Sequence, residues 1–143
     1  MDIRFGFTLD EPAITVPWDS SESDLQRLFG SSLRYVTTGY WTARVEALGG
    51  LRCRLGFHFD KDRGLVEELE FFRDSYADPQ ASFNEIQVHF ERVFGTPTES
   101  EDGTEGFPSH RWIVSGVEIR HFVFDRFGPE EHMTVRRFFK GPP

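Results

Sequence analysis

Residues 51–72 decide the fold, and they read Leu-Arg-Cys-Arg-Leu-Gly-Phe-His-Phe-Asp, Lys-Asp-Arg-Gly and Leu-Val-Glu-Glu-Leu-Glu-Phe-Phe in turn. In the first ten residues every odd position is apolar, and every even position is polar, charged or glycine. Because successive side chains of a strand point to opposite faces, this alternation predicts a strand with one buried and one solvated face. Gly64 can take the positive φ of a tight connection, after which apolar residues resume at Leu65, Leu69 and Phe71. The stretch therefore predicts a β-hairpin.

Further strands and two helices flank this hairpin. Apolar, aromatic and β-branched residues predict strands at about 3–9, 39–48, 111–115, 117–125 and 133–139. Apolar residues at helical spacing predict helices over 20–30 and 82–95, and each helix ends at a glycine. Ser82 and Glu85 fit a capping box at the start of the second helix. The order of these elements is typical of an α+β protein.

The two halves of the chain resemble each other. Each has a helix ending in Phe-Gly, a strand with a tryptophan, a strand ending in Phe-x-Phe-Asp, and a strand ending in Phe-Phe and a basic residue. The interval is 30 residues from Gly30 to Asp60 and from Gly95 to Asp125. Alternation in the second half slips near His121, where a β-bulge would restore it. These matches predict a tandem repeat of a helix-plus-three-strand unit.

Together these elements predict a single α+β domain over 1–143, with pseudo-repeats at about 20–74 and 82–140. We expect an antiparallel sheet of six to seven strands with two helices on one face, which leaves the other face for a partner. Sixteen phenylalanines predict an aromatic core. Cys53 is the single cysteine, so no internal disulfide can form, and we expect it to be a small core residue.

Composition and charge exclude several functional classes. The formal net charge is −8, and it is uneven: residues 1–108 hold 20 acidic and 10 basic residues, and residues 109–143 hold four acidic and six basic. Nucleic-acid binding is not expected, because affinity for phosphates comes mainly from Lys and Arg. The sequence has no apolar run of the length that a signal peptide or a membrane helix needs. We therefore expect a cytoplasmic protein without membrane association.

The sequence has no motif that identifies a catalytic residue, a cofactor or a metal site. Its five histidines lack zinc-site spacing, and Cys-x-x-Cys, P-loop and Gly-x-Ser-x-Gly motifs are missing. His58 with Asp60, and His121 with Asp125, would meet if the two repeats paired across the sheet. An enzyme that uses this region is therefore the lower alternative.

Two sets of residues are candidates for binding a partner. The first is the acidic set of the predicted loop over 96–108, which has no basic residue and contains Glu99, Glu101, Asp102 and Glu105. This loop is either a solvated connection or an acidic binding loop. The second candidate is the polar face of the hairpin, which carries Arg52, Arg54 and His58.

The motif Phe94-Gly95-x-Pro97, followed by a variable loop, a tryptophan-bearing strand and a hairpin, resembles small bacterial immunity proteins that neutralise polymorphic secreted toxins. The plan of the chain is also similar in outline to β-lactamase inhibitory proteins, but members of that secreted family carry disulfides, which this chain cannot form. The first resemblance implies a cytoplasmic, non-catalytic protein that binds one cognate toxin and occludes its active site. The alternative is a small-ligand-binding or structural module without a toxin partner.

Overall fold

The chain begins with two short strands, and each of its two helices precedes a run of four strands. A computed structural model describes residues 1–73, 78–103, 106–125 and 129–138. In chain order the elements are β1 (Gly6–Thr8), β2 (Thr15–Pro17), α1 (Glu22–Phe29), β3 (Arg34–Thr37), β4 (Tyr40–Ala47), β5 (Leu51–Phe59), β6 (Val66–Phe72), α2 (Pro79–Phe94), β7 (Glu99–Glu101), β8 (Ser109–Val114), β9 (Val117–Asp125) and β10 (Pro129–Arg137). A 3₁₀ turn over Gly30–Ser32 follows α1.

Eight of the strands form one antiparallel sheet in the order β3-β4-β5-β6-β10-β9-β8-β7, and β1 pairs with β2 in a separate small sheet. The predicted antiparallel α+β fold is confirmed, but the predicted count of six to seven strands is wrong. The strand predicted at 3–9 lies outside the large sheet, as β1. The sequence did not reveal β2 of the small sheet. In the large sheet it did not reveal β3 and β7, the two edges. They have only four and three residues, too few for alternation to show.

The central hairpin forms as predicted. β5 and β6 pair in antiparallel register, with Leu55 opposite Phe71. The register shifts near the end of β5, so that Val66 is buried in the core, with 2% of its surface exposed, while Leu65 lies outside the strand. A β-bulge adds one residue to a strand. This explains why Glu67 interrupts the apolar alternation in the sequence.

Both helices and the small sheet pack on the same face of the large sheet. Phe29 of α1 contacts Phe57 of β5 with ring centroids 5.3 Å apart. Phe90 of α2 and Phe7 of β1 both contact Phe71 of β6, at 6.0 and 5.5 Å. Phe57 and Phe71 lie on the same face, because Phe57 is paired with Leu69 and Phe71 is two residues further along β6. We call this the helix face, and the opposite side of the large sheet the open face.

The motifs that relate the two halves do not occupy equivalent positions. The two phenylalanines of Phe-x-Phe-Asp in β5, Phe57 and Phe59, are buried on the helix face. In β9 the corresponding Phe122 and Phe124 lie on the open face, since β9 pairs with β10 in one continuous register. The bulge predicted near His121 is therefore absent from β9. His121 lies in the core instead, and its two neighbours in sequence lie on the open face.

The second helix begins one turn earlier than predicted. Asp78 is its N-cap and accepts hydrogen bonds from the backbone of the first turn, and Pro79 occupies the first position. This pair favours the start of a helix for two reasons. The Asp side chain accepts hydrogen bonds from the free N–H groups of the first turn. Proline has no N–H group, and the first position of a helix needs none. The predicted capping box at Ser82 is wrong, and Ser82 is buried inside the helix. Within the described ranges neither helix is long and apolar enough to cross a membrane.

Phe90→Ala should destabilise the protein strongly. Phe90 is fully buried, and its ring lies 5.5 Å from both Trp112 and His121. Removing a buried aromatic ring should lower the free energy of unfolding by roughly 3–5 kcal/mol, which urea denaturation will measure. Val88→Ala is the matched control on the same helix, since Val88 is 45% exposed, and it should change stability by less than about 0.5 kcal/mol. Equal stability of the two variants would contradict the packing.

Cys53 should react slowly with thiol reagents. It lies on the helix face of β5 but is half-buried, not fully buried as the sequence suggested. Burial raises the pKa of the Cys53 thiol to about 12. Because the thiolate is the reactive form, labelling of the native protein with a disulfide reagent at mildly alkaline pH should be at least about tenfold slower than labelling of the denatured chain. Equal rates would show that the thiol is open to solvent.

Candidate functional site

The open face is the surface of the large sheet that the helices leave uncovered. Residues paired directly across antiparallel strands lie on the same face, so the strand registers show which side chains belong to the open face. The aromatic and histidine side chains of the open face are Tyr40, His58, Phe72, Phe122, Phe124 and His132. Each strand from β4 to β10 also carries an arginine, a glutamate or both on this face. In the described part of the chain, no helix packs on this side.

Five of the seven predicted binding residues lie on the open face, at two distant places. Arg52, Arg54 and His58 lie together on β5. Glu99 and Glu101 lie on β7 at the far edge of the sheet, five strand spacings away, which is roughly 24 Å. The structure therefore brings the hairpin set together and leaves the acidic set apart from it.

The acidic set is not free of compensating charge, as the sequence had suggested. Glu99 forms an ion pair with Arg111 of the neighbouring strand at 3.4 Å, and Arg111 also donates to Glu118 at 2.6 Å. Glu99 also belongs to a strand, so the predicted loop over 96–108 is wrong in part. Asp102 follows β7 and is exposed. Glu105 lies outside the described residues.

A polar cluster surrounds His58 near the centre of the open face. Its Nε2 atom lies 2.8 Å from Oε1 of Glu70, and its ring lies 4.5 Å from the ring of Tyr40. Gly56 makes room for this arrangement, because a Cβ atom there would lie 2.7 Å from the Tyr40 hydroxyl. The hydrogen bond to Glu70 raises the pKa of His58, although burial opposes it. Burial raises the pKa of Glu68, which lies directly opposite His58.

A second cluster on β9 and β10 is aromatic. Phe122 stacks on His132 with ring centroids 5.1 Å apart and an interplanar angle of 10°. The guanidinium of Arg120 lies 4.5 Å above the Phe122 ring. Phe124 is 51% exposed and contacts the edge of His132. Aromatic and arginine side chains are both enriched in protein interfaces, so this cluster is a candidate contact surface.

The sequence did not predict the buried polar network around His121. His121 is fully buried, and its two ring nitrogens lie 2.7 Å from Oε1 of Gln87 and 2.5 Å from Oε2 of Glu131. Ser82 donates to the other oxygen of Glu131 at 2.9 Å, and Phe83 stacks on the imidazole at 4.0 Å. Burial lowers the pKa of His121, and the bond to Glu131 opposes that shift. The network joins α2 to β9 and β10.

His58 and His121 lie on opposite faces of the sheet, so they do not approach each other as the repeat would have required. A shared acid–base site of these two residues is therefore contradicted by the registers of β5 and β9. The alternation itself marks His121, because Val117, Ile119 and Val123 place it in the row of buried residues. Among the residues that the structure describes, no three His, Cys, Asp or Glu side chains could hold a metal ion.

Two of the concavities along the sheet lie at its edges. One, of about 850 Å³, lies at the β3 edge and is lined in part by Arg34, Arg44 and Arg54. The other, of about 230 Å³, lies at the β7 edge, where Arg111 and Arg120 alternate with glutamates. Charged side chains are three of the nine residues that line the first concavity and five of the six that line the second. Neither resembles the largely apolar, concave sites that small molecules usually occupy.

No family model and no curated protein matches the chain. Among solved structures it is similar to the crystal structure of a DUF4309 family protein, YjgB, from Bacillus subtilis subsp. subtilis str. 168. The two chains are 12% identical, with a TM-score of 0.44, over 82% of this chain and 78% of the other. At this level the similarity carries no information about function.

Glu70→Gln should lower the pKa of His58 and weaken the fold only at acidic pH. The folded pKa of His58 is raised above its ordinary value of 6.5, so its contribution to stability is present below that value and is lost as pH rises through the folded pKa. Wild type should therefore exceed the variant in stability more at about pH 6 than at about pH 9. NMR titration of His58 and urea denaturation will measure both effects.

The matched control is Glu118→Gln, which removes a carboxylate from the same face at the position paired with Arg111. It should leave the His58 titration unchanged. An unchanged His58 pKa in Glu70→Gln itself would show that the hydrogen bond is not maintained in solution.

Proposed function

We propose that this protein is a non-catalytic inhibitor of the immunity type, which binds a cognate toxin through its open face and occludes the toxin's active site. One observation carries the proposal. The open face presents a broad set of aromatic and arginine side chains that no described helix covers. These are the residue types in which interface centres are enriched and which contribute most binding energy.

The dimensions of the open face support a protein partner. Eight strands give seven spacings, or roughly 34 Å across. β5 and β9 each contain nine residues, which is roughly 30 Å of extended chain. The resulting area, of the order of 1,000 Å², matches the about 800 Å² that each partner contributes to a standard protein–protein interface.

The side chains of the open face are held in place before binding. The guanidinium of Arg54 lies 5.8 Å from the Phe72 ring, and Arg120 lies on Phe122. Tyr40 is held against His58 over a glycine. Because ordering rotamers on association costs free energy, a surface that is already ordered binds more tightly for the same contact area.

Charge supports a cationic partner such as a toxin with a basic active-site cleft. The net charge of −8 would steer such a partner toward the chain and accelerate association more than it would raise affinity. In this proposal Glu99 and Glu101 act at the rim of the interface, and the rest of the predicted acidic set, Asp102 and Glu105, adds to the same attraction. The cytoplasmic location that immunity requires is part of the proposal.

A tandem duplication would explain the shape of this face. In each half a helix precedes a run of four antiparallel strands, and the halves meet at β6 and β10. Topology supports the duplication better than the sequence motifs do, because the motif phenylalanines of β5 and β9 lie on opposite faces. Each half would then contribute four strands to one binding surface.

Affinity capture from the native cell, with two matched variants, tests the proposal. Phe124→Asp changes a residue that is 51% exposed on the open face, and Val88→Asp changes one that is 45% exposed on α2. Wild type and Val88→Asp should capture the same protein, and Phe124→Asp should bind it at least about tenfold more weakly. Purified wild type should abolish the activity of the captured protein.

Equal capture of the partner by both variants would show that the open face is not the interface. A captured protein that stays fully active in the complex would show that the chain is a binding module without inhibitory function. Circular dichroism of both variants establishes that neither substitution unfolds the protein.

A further inference from the structure

We infer that the β3 end of the open face is a carboxylate-binding site, which receives an acidic segment of the protein partner. This inference rests on the proposed function, and it assigns the chemistry of the partner at one end of the same face. Three arginines carry it. Arg34 on β3, Arg44 on β4 and Arg54 on β5 lie side by side on three adjacent strands, and all three are exposed.

The strand registers force these positive charges together. Arg54 lies directly opposite Arg44. Arg34 lies opposite Thr42, which is the next residue of β4 on the same face as Arg44. Like charges placed opposite each other in a sheet destabilise it. The registers therefore concentrate positive charge at this place, and a bound anion would lower the repulsion between the arginines.

The surroundings of the row suit carboxylates. The three arginines line the concavity of about 850 Å³, together with Ser31, Ser32 and the buried Thr42. A guanidinium is planar and offers paired N–H donors that match the two oxygens of a carboxylate. Arg44 and Arg54 also interact within the chain. Because each guanidinium has five N–H donors, such contacts leave donors for a ligand.

The extent of the row favours a short acidic peptide segment over a nucleic acid. The row spans two strand spacings, or roughly 10 Å, and acidic residues border it at Glu46, Glu68 and Glu70. Nucleic-acid binding needs a larger basic surface, and the chain as a whole carries a net charge of −8. A few carboxylates on a protein partner fit this limited area without that repulsion.

The other end of the open face has a different character. At the β7 edge Glu99, Glu101 and Glu118 lie among Arg111 and Arg120, so three acidic and two basic side chains line it. The β3 end therefore has the larger excess of positive charge. A partner with an acidic segment is favoured in the orientation that places this segment at the β3 end, because the reversed orientation would place it beside the glutamates.

A titration with a blocked hexaglutamate peptide at low salt tests the site without the partner. The peptide should shift backbone amide and arginine Nε NMR signals of β3, β4 and β5. Arg34→Gln with Arg44→Gln should weaken binding at least about fivefold. Arg27→Gln with Arg92→Gln removes the same charge from the two helices and should leave the affinity unchanged within about twofold. Arg34→Gln alone, on the edge strand, should give an intermediate loss of peptide affinity. This single variant replaces the double variant in the test if the double variant unfolds.

Shifts elsewhere in the protein, equal weakening by both double variants, or tighter binding of a single-stranded oligonucleotide of equal charge would each overturn the site. These outcomes are distinct from failure of the proposed function. A captured partner that depends on Phe124 but not on Arg34 and Arg44 would refute the carboxylate site and leave the open face as the interface. If hexaglutamate binds at the arginine row but capture of the partner is insensitive to Phe124→Asp, the carboxylate site would stand and the open face would be refuted as the interface.

Discussion

The antiparallel pairing of β6 with β10 is the contact on which the rest of the structure depends. Each half of the chain can build only a four-stranded run, and this pairing joins the two runs into one sheet. Its register places Met133 opposite Phe71 and Val135 opposite Leu69, so the apolar rows continue from one half into the other. Phe71 thereby becomes the common support for Phe90 of α2 and the N-terminal small sheet. The same register places Glu68, Glu70 and Arg136 on the open face.

The register of β9 links the core to the candidate binding surface. Because side chains alternate between the two faces of a strand, the register that buries His121 also places Phe122 and Phe124 on the open face. A slip of one residue would move all three side chains to the opposite face. A buried histidine requires hydrogen-bond partners, and Gln87 and Glu131 supply them. The protein thus accepts a polar network in its interior and aromatic rings on its surface. The exposed rings are accounted for if a partner covers them.

The proposed interface combines two kinds of interaction. Aromatic and arginine side chains in the middle of the open face would supply affinity, because they are large, ordered and partly desolvated before binding. The charged edges would supply orientation and association rate. In this arrangement the arginine row at β3 and the mixed charges at the β7 edge act together, although neither is a conventional pocket.

The sequence by itself determined the hairpin over 51–72, both helices and the antiparallel α+β class, because alternation, helical spacing and terminal glycines act over a few residues. Only the tertiary structure decided what the open face contains. The arginines at 34, 44 and 54 are far apart in sequence, and pairing across three strands brings them together. The acidic loop looks uncompensated because its partner Arg111 comes from the neighbouring strand. Such contacts depend on long-range register, for which a local pattern of residues carries no signal.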